Sequence, residues 1–328
     1  MDQVVMWVGF ALASYSVVGN DVIQTLGTFI ASNEKKKWYT LWAFAALILI
    51  ATLVYSWYMY DGDVSFHRLI GDESEGYSLD NPKYPLPSPM QWYYILPPLV
   101  LLFITRWGIP VSTSFLILTF FKPKGLDSML IKSVSGYAVA LIAALVIYWV
   151  ISKAIEQRFL QQKMTKERER LWSALQWLST GFLWTQWLAQ DFANIYVYLP
   201  RRLGATELVI SMLILVVLLG YVFYQKGGKI QEVIDSKTNT HDIRSATIID
   251  FIYGIVLFFF KELNNVPMST TWVFIGLLAG REIAIRNRVF NEMKFKHIKP
   301  IALDLLKVTL GLIISIGLVY FIRSVGGN

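Results

Sequence analysis

The sequence predicts an all-α integral membrane protein: an inverted-topology repeat with six transmembrane spans, two of them broken, and two re-entrant helical hairpins. Three observations carry that expectation. The chain of 328 residues is 55% hydrophobic and only 16% charged, against roughly 25% charged in soluble domains, and its mean hydropathy is +0.47. Several apolar runs are long enough to cross a bilayer. Polar islands interrupt those runs and recur in the same order in both halves of the chain.

Taken in order, residues 4–31 are apolar apart from a central cluster, Gly19-Asn20-Asp21-Val22-Ile23-Gln24-Thr25. One straight helix over them would run about 42 Å against a hydrocarbon core of ~30 Å, so a break at Gly19-Asn20 is expected. Asn33 to Lys37 is a basic cap, and Trp38 to Tyr58 is a clean span with aromatics at both ends, as interfacial belts have. Asp61 to Pro89 is rich in Asp, Glu, Pro and Gly and too polar to span. Over 91–121 the apolar pattern is cut by Thr105-Arg106-Trp107-Gly108-Ile109-Pro110-Val111-Ser112-Thr113-Ser114, which leaves each half too short to cross. A Gly and Pro interruption with three consecutive hydroxyls fits a re-entrant hairpin whose tip lies at membrane depth. Ser128 to Ser152 is a full span, and a basic stretch follows it.

The second half repeats this order. Leu171 to Leu199 is a long span whose break is expected at Gln190-Asp191-Phe192-Ala193-Asn194, Thr206 to Tyr224 is clean, and Lys226 to Thr247 is polar. The second hairpin is expected over 248–280, and Pro300 to Ile322 is the last span. Pro110-Val111-Ser112-Thr113-Ser114 in the first half answers Pro267-Met268-Ser269-Thr270-Thr271 in the second. The expected organisation is therefore a first repeat at 1–152, a cytoplasmic linker at 153–170 and a second repeat at 171–328. Three crossings per half make the repeats enter from opposite faces. The positive-inside rule then puts Lys35 to Lys37, the 153–170, 226–247 and 281–299 stretches inside, and the acidic 61–89 loop and both termini outside. The expected location is the plasma membrane of a bacterium. No basic region precedes the first apolar run, so no cleavable signal peptide is expected.

Composition narrows the chemistry. With no Cys there is no disulfide, thiolate metal site or thiol nucleophile. The formal net charge of +7 reads as topology and contact with anionic headgroups of the lipid bilayer, so no nucleic-acid partner is expected. A carboxylate near the bilayer centre costs about 2.5–3.5 kcal/mol, which makes Asp21 and Asp191 functional candidates rather than mere ligands to a helix break. Each hairpin tip presents hydroxyls at a helix start, where free N–H groups and the helix dipole favour an anion. These are Ser112, Thr113 and Ser114 at one tip and Ser269, Thr270 and Thr271 at the other. Carboxylates beside an anion repel it unless cations sit between. Asp21 and Asp191 are therefore expected to hold cations, sodium first and protons as the alternative, with Gln24, Thr25 and Asn194 adding oxygen ligands. Inverted repeats with broken helices point to a secondary transporter that binds its solute where the repeats meet.

The sequence also resembles the inorganic phosphate transporter (PiT) family. GNDVIQTLGT and QDFAN are similar to its paired GxNDxxN-type motifs, and GIPVSTS and NVPMSTT to its paired hairpin tips, all four in the family's order. The resemblance implies sodium- or proton-coupled uptake of phosphate, with sulfate carriers among the relatives, and a homodimer. By motif position it makes Asn20, Asp21, Gln190, Asp191 and Asn194 ion and substrate ligands, and the tip Ser and Thr residues phosphate ligands. Four departures stand out: Phe115 and Trp272 replace the His after each tip, Gln24 replaces the second Asn of the first motif, and Gln190 replaces the first Asn of the second. These bear on the choice of anion, and sulfate stays an alternative.

Other classes fit less well. Two intramembrane Asp residues also occur in aspartyl proteases, but the Tyr-Asp and Gly-x-Gly-Asp contexts are missing. His67, His241 and His297 all lie in polar segments, so no base serves a serine mechanism. An enzyme is not expected. A passive anion channel has little use for buried carboxylates. Arg106 and Lys261 precede the two tips, where they either supply positive charge or snorkel.

Overall fold

A computed structural model describes residues 2–122, 126–152, 157–161, 164–236, 240–263, 269–290 and 295–326. The expected tip residues 264–268 lie outside the described residues, as does the side chain of Lys261.

Apolar runs of about twenty residues become helices because only a helix satisfies every backbone group within itself in lipid. The long ones are α1 (Asp2–Ser32) and α2 (Trp38–Met59), with α3 (Leu96–Arg106) shorter. After a turn, one loop of π-helix (Ser114–Leu118) runs into α4 (Thr119–Phe121). α5 (Leu126–Ile151) and the short α6 (Gln157–Gln161) lead to α7 (Lys166–Tyr196), α8 (Ala205–Tyr224) and α9 (Gly228–Asp235). α10 (Ile243–Leu263), α11 (Thr270–Arg288) and α12 (Phe295–Gly326) complete the order. Among the described residues there is no strand.

Five of these helices are long and apolar enough to cross a membrane: α1, α2, α5, α8 and α12. α7 has the length, at 31 residues, but a charged first turn, Lys166-Glu167-Arg168-Glu169, and a run of buried polar side chains lower its hydropathy. Burial separates centre from periphery. The most apolar window of α1 is 61% buried, against 22% in α5 and α12. The apolar side chains those outer helices leave uncovered, such as Ile142 and Ile313, at 60% exposure each, suit hydrocarbon.

Two expectations are corrected. Neither polar cluster breaks its helix: α1 runs unbroken through Gly19-Asn20 and α7 through Gln190-Asp191. The helical backbone continues there, and the polar side chains bond to one another and to neighbouring backbone carbonyls. The halves of the second expected hairpin are also longer than predicted. α10 begins at Ile243 and α11 continues to Arg288, past Gly280, where buried Arg281 donates to Ser245 (2.6 Å) and Glu282 pairs with Arg286 (2.7 Å). The polar 226–247 stretch likewise contains α9, packed on α1 and α3.

α1 is the hub, touching α3, α7, α8, α9, α10 and α11. It lies antiparallel to α7. Asn33 donates to Gln176 (2.7 Å), Thr28 and Thr180 both donate to Asp250 of α10, and further along Asp21 approaches Asn194 through Thr113. α2 packs on α8 and α7, where the Trp42 indole donates to the Val216 carbonyl at 3.0 Å and that of Trp184 to the Ala45 carbonyl at 3.0 Å.

α5 and α11 meet at backbone distance. A Cβ on Gly276 would stand 2.5 Å from the Tyr137 carbonyl oxygen, and one on Gly280 would stand 2.3 Å from that of Leu141. Glycines four apart allow this approach, and close backbone packing is a main source of helix association in lipid.

The 61–90 segment is a folded cap, not an open loop. Gly62, at φ +91, turns the chain so that its carbonyl accepts from the Leu203 amide (2.9 Å). Buried Asp63 accepts from the Ser65 amide and hydroxyl (2.6 Å each) and from the His67 amide (2.9 Å). Arg201 ties the cap to the end of α7 by donating to the carbonyls of Tyr84 (2.8 Å), Leu199 (2.7 Å) and Val197 (2.9 Å).

The close contact gives a first prediction. Gly280→Leu should lower the melting temperature in detergent by several degrees, since over-packing costs about 1–3 kcal/mol. Gly317→Ala, where a Cβ meets nothing within 4 Å, should not. Intrinsic tryptophan fluorescence against temperature reads both, and equal Tm values would contradict the contact.

Candidate functional site

The polar residues of α1 and α7 converge on the two expected tips. Asn20, Asp21, Gln24, Thr25, Ser112, Thr113, Ser114, Gln190, Asp191, Asn194, Ser269, Thr270 and Thr271 are all buried, none more than 4% exposed.

Val111 is the junction. The Asn20 amide pairs with both its backbone groups, donating to the carbonyl at 2.7 Å and accepting from the N–H at 3.3 Å. The Thr271 hydroxyl, from the other tip, donates to the same carbonyl at 3.0 Å. One peptide unit therefore joins α1, the first tip and the second.

The carboxylates are connected just beside it. Asp21 accepts from Asn20 at one oxygen (2.6 Å) and from the Thr113 hydroxyl at the other (2.7 Å). Thr113 in turn accepts from the Asn194 amide nitrogen (2.9 Å), whose second hydrogen goes to Asp191 Oδ1 (2.7 Å). The chain Asp21, Thr113, Asn194, Asp191 thus uses both hydrogens of one amide and both sides of one hydroxyl. The hydroxyls of Thr270 and Ser114 also face Asp191. Among the described residues, Asp191 Oδ2 and Asn194 Oδ1 have no hydrogen-bond partner. Such groups are rare in a buried setting because each costs desolvation.

The tips themselves are built alike. Ser112 Oγ accepts from the Phe115 amide at 3.3 Å, and Ser269 Oγ accepts from the Trp272 amide at 3.3 Å. Each hydroxyl accepts from an amide three residues on; of those that follow, Thr113 reaches Asp21 while Thr271 reaches the Val111 carbonyl. Phe115 and Trp272 are buried behind them, with Trp272 edge-on to Tyr137.

Two expected ligands bond to backbone carbonyls, and a third shows an unpartnered amide nitrogen. The Gln190 amide donates to the Leu257 carbonyl of α10 (2.6 Å), and the Thr25 hydroxyl donates to the Asp21 backbone carbonyl (2.9 Å). The Gln24 amide nitrogen lies buried with no partner among the described residues. Arg106 is exposed at the end of α3, beside a groove of about 470 Å³ lined by Tyr15, Gly19, Tyr221 and Gln225.

Sequence reasoning misses two charged residues here. Asp250 sits fully buried between Thr28 and Thr180; an Asp two residues into the apolar run from Ile248 was the visible signal. Arg68 comes from the 61–90 cap, and its Nε donates to the Ala189 carbonyl at 3.0 Å, two residues before Asp191. Nothing in the local sequence marks it.

These helices and their buried polar centre define an integral membrane protein. Its fold is that of a solved sodium-dependent phosphate transporter, which it matches with a TM-score of 0.63 over 98% of each chain at 16% identity. An identity that low shows a shared fold and no more. No family model matches the sequence, and no curated protein matches it.

The junction predicts that Asn20→Ala destabilises the protein. Losing the amide leaves the Val111 N–H unpaired in a buried site, at about 1–3 kcal/mol. A Tm unchanged from the parent in detergent would contradict the pairing.

Proposed function

We propose that the chain is a secondary active transporter that moves inorganic phosphate across the membrane coupled to sodium. The observation that carries this is the hydrogen-bonded chain from Asp21 through Thr113 and Asn194 to Asp191, buried between two hydroxyl-bearing tips. Two carboxylates that close repel each other and any anion. Cations at Asp21 and Asp191 remove both repulsions, and the unpartnered oxygens of Asp191 and Asn194 suit a hard cation of sodium's kind. Ser112, Thr113 and Ser114 on one side and Ser269, Thr270 and Thr271 on the other would then share their hydroxyls with the oxyanion. Asn20 and Gln190 flank them. Protons are the alternative coupling ion.

Two further features support an inverted repeat of 1–152 and 171–328. α1 and α7 open the two halves and lie antiparallel, as opposite entry requires, and Ser112 and Ser269 cap their helices in the same way. In this reading the two tips are re-entrant and meet near the midplane, the 61–90 cap and the termini face outside, and α9 faces the cytoplasm. Rocking of one repeat against the other would separate the tips, breaking the Thr271 to Val111 bond, and expose the site to one side at a time. A homodimer is consistent with this reading. The likeness to a sodium-dependent phosphate transporter favours phosphate over sulfate.

Purified protein in liposomes should take up labelled phosphate when sodium is high outside, and far less when choline replaces sodium. Asp21→Asn and Asp191→Asn should each reduce uptake to background while the protein still purifies. Sulfate in the same vesicles tests the choice of anion. Equal uptake with and without any sodium or proton gradient would sink the coupled mechanism.

A further inference from the structure

The 61–90 cap is acidic, with Asp61, Asp63, Asp72, Glu73, Glu75 and Asp80, yet among the side chains it buries is an arginine, Arg68. The turn centred on Asp63 does this. With Asp63 accepting from Ser65 and His67, and with Phe66 and His67 at φ of 55° and 61°, the chain reverses and drives Arg68 inward. Arg68 is 7% exposed, and its Nε donates to the Ala189 carbonyl. Ala189 lies seven residues before Tyr196, where α7 ends, so the guanidinium reaches about 10 Å down from that end. There it acts electrostatically on Asp191.

Charge at the centre then decides what Arg68 does. Asp21 and Asp191 bring two negative charges. Two cations neutralise them, which leaves only the hydroxyls and helix starts of the tips to favour an anion. Arg68 is the charge that makes the loaded site positive. That same charge opposes a cation bound at Asp191.

We propose that Arg68 is a specificity-determining residue: its guanidinium, anchored on the Ala189 carbonyl, opposes a cation at Asp191 by its charge and becomes the direct partner of the oxyanion once cations are loaded. This rests on the transport reading above. A planar guanidinium suits that role, since its fork matches the oxygens of a tetrahedral oxyanion.

Arg68→Gln separates this from a purely structural plug. In liposomes the KM for phosphate should rise at least tenfold while the half-saturating sodium concentration falls, because the anion loses a partner and the cation loses an opposing charge. A plug would move both in the same direction, so a parallel rise, or no change in either, overturns the proposal. Arg68→Lys keeps the charge without the fork and should raise the phosphate KM by less than Arg68→Gln does. Sodium titrations of melting temperature on the purified proteins give a reading independent of transport. Half-saturation for sodium should tighten in Arg68→Gln, and a failure to tighten overturns the proposal. If the unaltered protein carries neither phosphate nor sulfate under any gradient, the transport function fails, and the sodium titration still tests Arg68.

Discussion

Two carboxylates buried at the centre of a helical membrane protein set the terms for everything around them. Asp21 and Asp191 are each 1% exposed, and hydrocarbon offers no water to solvate them. Each must find donors within the protein, and the fold is arranged to bring them: an amide from α1, an amide from α7, and hydroxyls from two helix starts that the chain returns to the centre. The polar residues of α1 are therefore also what fastens it to its neighbours. Removing a donor does more than delete one bond, because a buried group left unpaired costs more than its hydrogen bond contributes.

The same economy explains why the polar clusters do not break their helices. A helix break is one way to obtain ligands at membrane depth, since unwound carbonyls can then coordinate. Here the side chains do that work. Asn20 mimics a peptide and pairs with both backbone groups of Val111, while Thr25 returns its hydroxyl to its own helix. Among the described residues of the two carboxylate motifs, the unpartnered oxygens are side-chain ones, Asp191 Oδ2 and Asn194 Oδ1.

Much of the centre was legible in the sequence because polar residues are conspicuous against an apolar background. Asp21, Asp191 and the Pro-x-Ser-Thr tips stand out at that contrast, and the order in which they recur links them. What was not legible depends on distance in the chain or on context. The continuity of the helices at the clusters is not legible, because a break follows from a length of about 42 Å only if every residue must lie in hydrocarbon. Arg68 was invisible because its placement depends on a turn built by Asp63 and on a carbonyl 121 residues away. The Gly276 and Gly280 contact reads from sequence as two ordinary helix glycines until α5 is placed against them. Asp250 was legible in principle, but no matching residue in the first half drew attention to it.

The central claim is that cation and anion occupy one pocket in which the first makes room for the second. Thermodynamic linkage then requires each to strengthen the other's binding by the same factor. Calorimetric titration of phosphate into purified protein, in sodium and then in choline at equal ionic strength, measures that factor without any vesicle or gradient. The account predicts binding in sodium that weakens at least tenfold in choline. Equal affinity in the two salts would contradict it.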